Sequence, residues 1–90
     1  MIETKNNDFS ANFLPIINDC RIKFDKKKEM YGDSWKRMSY PELQVRLKEE
    51  FEEYDFNKDK VESIVYDELL DIINCAVMYA KHLRKYMEMK

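Results

Sequence analysis

Residues that break or turn a chain are almost absent here: one glycine, Gly32, and two prolines, Pro15 and Pro41, in 90 residues. A β-sheet protein of this length needs several tight turns, and those turns draw on Gly, Pro, Asn and Asp for specific backbone angles. The chain instead is rich in Leu, Glu, Lys and Met, which are good helix formers. The expected fold class is therefore all-α, and apolar periodicity divides it into three helices. Residues 1–10 read as a flexible leader and 11–90 as one helical domain. Helix one is expected over about 13–31, with Asn12 as its cap, Pro15 in its first turn and Gly32 as its stop. Ser39 to Glu42 forms a capping-box sequence with Pro41 in the first turn, opening helix two over about 41–55. Asn57-Lys58-Asp59 is the next turn, with Asp59 as a cap for helix three, which runs from about Lys60 into the last ten residues. So short a turn predicts that helices two and three form an antiparallel hairpin.

Apolar residues make up 44 % of the chain. That is more than three short helices can cover, because a domain this small buries only about 60 to 65 % of its unfolded surface. Helix three after Leu69 is apolar nearly all round, with Leu70, Val77 and Met78 off its main stripe. These residues are expected to be buried by a second subunit, in a helical-bundle dimer or tetramer. The net charge of −2 gives no reason to expect a nucleic acid polymer as partner. The stretch Leu69 to Ala80 is interrupted by Asn74 and flanked by Asp71 and Lys81. It is too short for a bilayer span of ~20 apolar residues, so no membrane partner is expected. The N-terminus has no apolar signal core. Cys20 and Cys75 read as reduced core residues of a cytoplasmic protein. With His82 they lack the Cys-x-x-Cys pair of a zinc site.

The acids carry the chemistry. On a wheel of about 100° per residue, the apolar stripe of helix two (Leu43, Leu47, Phe51, Tyr54) is centred on Leu47. Glu50 and Glu53 lie along one edge of it, roughly 60° and 120° from the centre. In helix three the stripe (Val61, Val65, Leu69, Ile72) is centred near Val65, and Glu68 and Asp71 occupy the same edge. The two patterns are one pattern displaced by 18 residues. In an antiparallel pair the equivalent edges face the same side, so all four carboxylates converge. Two unit charges at 4 Å repel by about 1 kcal/mol in water and ~4 at an effective dielectric of 20. The neighbouring positions on these helices are mostly apolar or acidic, so a hard divalent cation, Mg²⁺ or Mn²⁺, is the simplest counter-charge. The plain alternative is a solvated acidic face, which suits Glu49, Glu52 and Glu62 well.

Glu49-Glu50-Phe51-Glu52-Glu53, a spacer of 14 residues, and Glu68-Leu69-Leu70-Asp71 together resemble the motif pair of the MazG-like all-alpha nucleoside triphosphate pyrophosphohydrolases. The resemblance spans about residues 40–83. It implies Mg²⁺-dependent hydrolysis of an NTP or dNTP to the monophosphate and pyrophosphate. Glu50, Glu53, Glu68 and Asp71 would hold the metal, and Glu49 would orient or deprotonate the attacking water. The fixed cations and rings available for substrate are Lys27, Lys81 and Trp35, with Asn74 as a contact to base or sugar. Trp35 alternatively plugs the core between helices one and two. Tyr31-Gly32-Asp33-Ser34-Trp35 with Asp71-Ile72-Ile73-Asn74 is also similar to a phage-associated group linked to nucleotide modification. Two other functions stay open: a phosphoribosyl-ATP pyrophosphohydrolase, whose second motif usually has small residues where Leu69-Leu70 stand, and a non-catalytic helical nucleotide-binding or interaction module.

Overall fold

The computed structural model describes residues 2–89, and these are almost entirely helical. Met1 and Lys90, the ends of the expected leader and domain, lie outside the described residues. Helix α1 covers Ile2–Tyr31, a one-turn 3₁₀ helix covers Ser34–Arg37, α2 covers Tyr40–Asn57 and α3 covers Glu62–Glu88. Helix α3 packs against both α2 and α1.

Helix α1 starts at Ile2, well before the expected Phe13. Asn12 is not its cap: the side-chain amide donates to the Asp8 carbonyl at 2.7 Å, one turn back inside the helix. The Phe9 and Phe13 rings also meet one turn apart, centroids 5.1 Å. Pro15 therefore sits within the helix, where its missing N–H removes a bond. The far end matches expectation. Gly32 adopts φ +72° and gives its N–H to the Lys28 carbonyl at 2.8 Å, closing the helix in the left-handed conformation that glycine adopts without strain.

The capping box at α2 is present. The Glu42 N–H donates to Ser39 Oγ at 3.3 Å, and Glu42 Oε1 accepts from the Ser39 N–H at 3.4 Å. Asp59 is not the cap of α3. Lys60 N–H closes a turn onto the Asn57 carbonyl at 3.0 Å, so the helix begins only after Val61, which has no side-chain cap bond. Tyr40, the first residue of α2, meets Tyr86 near the end of α3, centroids 5.2 Å. At the other end Asn57 Nδ2 donates to Glu68 Oε1 at 3.3 Å.

The interior is small. Among the described residues the buried apolar side chains are Cys20, Leu43, Leu70 and Cys75, and Glu50 is buried with them. Leu70 is only 4 % exposed within the single chain, so it needs no second subunit. On α3 Leu69, expected in the stripe, is exposed, while Leu70, expected off it, is buried. On α2, Phe51 is likewise exposed while Glu50 is covered. Buried positions Leu43 and Glu50, with the half-buried Leu47 and Tyr54, follow the alternating four- and three-residue spacing of a helix–helix seam. The matching line on α3 is Val65, Glu68, Ile72 and Cys75.

A Cβ built at Gly32 meets nothing within 4 Å, so a side chain there would strain only the backbone. Gly32→Ala should lower stability by about 1 kcal/mol, and Gly32→Asn by less, since Asn tolerates the left-handed region. Urea unfolding followed by circular dichroism measures both.

Candidate metal centre

Glu50 and Glu53 lie on α2 three residues apart, and Glu68 stands on the facing line of α3. One oxygen from each comes together, all within 4.8 Å of one another. Burial falls from Glu50, 8 % exposed, through half-buried Glu68 to exposed Glu53, so the group opens from seam to surface. Glu50 Oε2 and Glu68 Oε2 are shielded from solvent and accept no hydrogen bond. Buried carboxylate oxygens with no donor are costly, and each lost bond to a charged group is worth about 1.5 to 3 kcal/mol. Oxygens on opposite sides of a Mg²⁺ are about 4.2 Å apart, given Mg–O bonds of ~2.1 Å, so this group needs little closure to hold such an ion. Three carboxylates, two of them with an orphaned oxygen, fit a hard divalent cation, and no other donor type is present in the group.

Asp71 does not join the three. Its Oδ1 accepts Lys27 Nζ at 2.7 Å and its Oδ2 accepts Lys23 Nζ at 3.0 Å. The expectation that no lysine neutralises the acids is thus corrected at this position. The two cations paired with Asp71 come from α1, not from the two helices that carry the acids. Lys23 also donates to the Asp67 main-chain carbonyl at 2.8 Å.

The electrostatics follow the geometry. Burial, then the charges of Glu53 and Asp71, push the Glu50 carboxyl above its ordinary value, against the opposing pull of Lys27 and Arg46. For Lys27, burial pulls the pKa down, but the bond to Asp71 and the charges of Asp71 and Glu50 outweigh it and the net shift is upward. Burial raises the pKa of both cysteine thiols, which fits inert, free core residues.

Beside the acids lies a cavity of about 350 Å³. Lys27, Lys28 and Arg46 line it, together with Glu50, Trp35 and Asn74. Trp35 is held between α1 and α3, not between helices one and two: its ring meets Phe24 at 6.0 Å and His82 at 5.5 Å. Its indole N–H is shielded and has no acceptor. Asn74 gives its amide to the Cys20 carbonyl at 3.0 Å and so joins α3 to α1. Lys81 lies over the Trp35 ring at 5.6 Å and lines a separate apolar groove instead of the charged cavity. Glu49 is exposed and outside the acid group. Sequence reasoning overlooked Lys23, Arg46 and Asn57. Arg46 stands one turn before Glu50 on α2, a spacing that was available to find it.

Comparison of the chain with known protein families, curated proteins and solved structures gave no match.

Two substitutions should act in opposite directions on the metal-free protein. Glu50 has a raised folded pKa, so the folded state binds its proton more tightly than the unfolded state does. Its contribution to stability is then present below the ordinary value of 4.5 and is lost as pH rises through the raised value. Glu50→Gln should therefore raise stability at pH 7 by about 1 kcal/mol, a gain that shrinks towards pH 4.5. Asp71→Asn should lower it by about 1 to 2 kcal/mol at pH 7, because two lysines lose their partner. Thermal melts without metal across this pH range check both signs.

Proposed function

We propose that this chain is a Mg²⁺-dependent pyrophosphohydrolase that converts a nucleoside triphosphate to its monophosphate and pyrophosphate. The observation that carries the reading is the buried, unbonded carboxylate of Glu50, gathered with Glu53 and Glu68 beside a cavity lined by three cations. Its sequence counterpart is the resemblance of Glu49–Glu53 and Glu68–Asp71 to the MazG-like motif pair.

In this reading Glu50, Glu53 and Glu68 hold the ion, with Asp71 as the fourth acid of the set; Mn²⁺ has the same ligand preference. When bound, the metal polarises the phosphate under attack and offsets charge on the leaving pyrophosphate. Lys27, Lys28 and Arg46 bind and orient the phosphate oxygens. Trp35, with its unpaired indole N–H, and Asn74 border the same cavity and suit the base and sugar. Glu49 keeps the role of a supporting base at the exposed rim. Catalysis of this kind is chiefly positioning and charge stabilisation.

The helix pair is read as antiparallel, supported by the Tyr40–Tyr86 and Asn57–Glu68 contacts at its two ends. The working unit is read as a dimer or a tetramer. Leu69, Ile73 and Val77 repeat once per turn on α3, and all three are exposed. Ile73 and Val77 border, with Ile17 of α1, an apolar groove of about 390 Å³. A second copy of the chain would cover that face. Val77 is 62 % exposed in the single chain, so Val77→Lys should leave helicity intact while light scattering reports a monomer. A wild-type monomer at micromolar concentration would contradict the assembly.

Glu50→Gln, Glu53→Gln, Glu68→Gln and Asp71→Asn should each abolish Mg²⁺-dependent pyrophosphate release, since each amide removes one anionic ligand at nearly constant volume. Glu52→Gln and Glu62→Gln, both at exposed positions, are the controls and should stay within a few fold of wild type. A panel of NTPs and dNTPs with Mg²⁺, scored for pyrophosphate against orthophosphate, tests the reaction class. Release of orthophosphate, or no turnover of any member, would reject it.

A further inference from the structure

Asp71 shares the displaced pattern of Glu50, Glu53 and Glu68, yet both its oxygens are occupied by ammonium groups, Lys27 at 2.7 Å and Lys23 at 3.0 Å. The two lysines stand one turn apart on α1, the helix that carries none of the four acids. They are not equivalent. Lys23 is tied a second time, to the main-chain carbonyl of Asp67 at 2.8 Å, and its place is fixed by the backbone of α3. Lys27 has Asp71 as its sole ion-pair partner among the described residues, and it lines the cation-rich cavity. A long side chain with one ionic partner can change that partner by rotating its own torsions, with no movement of the helix.

We propose that Lys27 is an exchangeable counter-ion, which neutralises Asp71 in the metal-free chain and passes to a phosphate oxygen when a divalent cation and a polyphosphate ligand occupy the site. This rests on the metal-dependent reading above and goes beyond it, in that Lys27 couples the two ligands. An ammonium and a divalent cation sharing one carboxylate repel each other, so Lys27 weakens binding of the cation alone. A polyphosphate reverses the sign: it accepts the ammonium and releases Asp71 to the cation. The two ligands then bind with positive coupling, and the coupling is reciprocal. Lys27 acts here as a positioning residue, and Lys23 as the fixed half of the clamp. Arg46, which makes no hydrogen bond or ion pair among the described residues, stands at the same cavity as a further contact for the anion.

The test is a calorimetric titration of Mn²⁺ into wild type, Lys27→Met and Lys27→Arg, each with and without inorganic triphosphate; circular dichroism checks that each variant folds. Without triphosphate, Lys27→Met should bind Mn²⁺ about tenfold more tightly than wild type. With the Mn²⁺ that triphosphate chelates in solution subtracted, triphosphate should tighten Mn²⁺ binding to wild type and Lys27→Arg clearly more than to Lys27→Met, which keeps only the coupling through metal-bound phosphate and the remaining cations. Lys27→Gln takes the place of Lys27→Met if the latter does not fold. Equal Mn²⁺ affinity in wild type and Lys27→Met, or an equal response to triphosphate, overturns the exchange while the metal centre stands. Absence of Mn²⁺ uptake in every variant and condition overturns the metal reading and the exchange together.

Discussion

A carboxylate removed from water in the middle of a helix–helix seam is the constraint around which this molecule is arranged. Glu50 occupies a position that in an ordinary packed helix pair would hold Leu or Ile, one turn from Leu47 and Tyr54. Burying it without a bonded partner costs more than packing an apolar side chain there would. Its neighbours are placed accordingly. Glu68 sits at the matching point of the facing helix, and Glu53 and Asp71 follow one turn later on each. Positive charge comes from Lys27 on α1 and Arg46 on α2, close enough to oppose the shift that burial imposes on Glu50. The third helix is thus part of the electrostatics of the site. It cannot be removed as packing material alone.

Much of this was legible beforehand because it is local. The helix stop at Gly32, the capping box from Ser39 to Glu42 and the 18-residue displacement between α2 and α3 are patterns of near neighbours, and each reads directly into backbone geometry. The convergence of Glu50, Glu53 and Glu68 followed from that displacement. The face actually buried was harder to read. A wheel weights Phe51 and Leu69 as core because they are apolar, and it has no means of separating a face packed within the chain from one left open. Including them turned the expected stripe away from the acids and put Glu50 at an edge, when it lies in the seam.

The ion pairs on Asp71 were hidden for a different reason. Lys23 and Asp71 are 48 residues apart, and nothing periodic connects them. Their meeting depends on how α1 crosses α3, which Tyr66 and Asn74 fix: the Tyr66 hydroxyl donates to Asp19 at 2.6 Å, and Asn74 donates to the Cys20 carbonyl. The early start of α1 was hard to read because polar composition does not separate a helix from a loop. Glu, Lys and Asn are as polar in a helix as in a loop, and the Phe9–Phe13 pair was the available sign of helical spacing.

Helix α3 is the element to which both others attach, and its middle turns, around Leu70 and Cys75, hold half of the buried apolar side chains among the described residues. Opening that stretch means releasing α1 and α2 together. The first turns of α1, by contrast, bear exposed Phe9, Phe13 and Leu14 and can unwind with little loss of packing. Amide protons would therefore report two regimes along one chain. Those in central α3 would exchange only with the whole fold, and those of residues 8–14 through local fraying. The acids on α3 would lie in the slow regime, so their grouping would outlast local opening of residues 8–14.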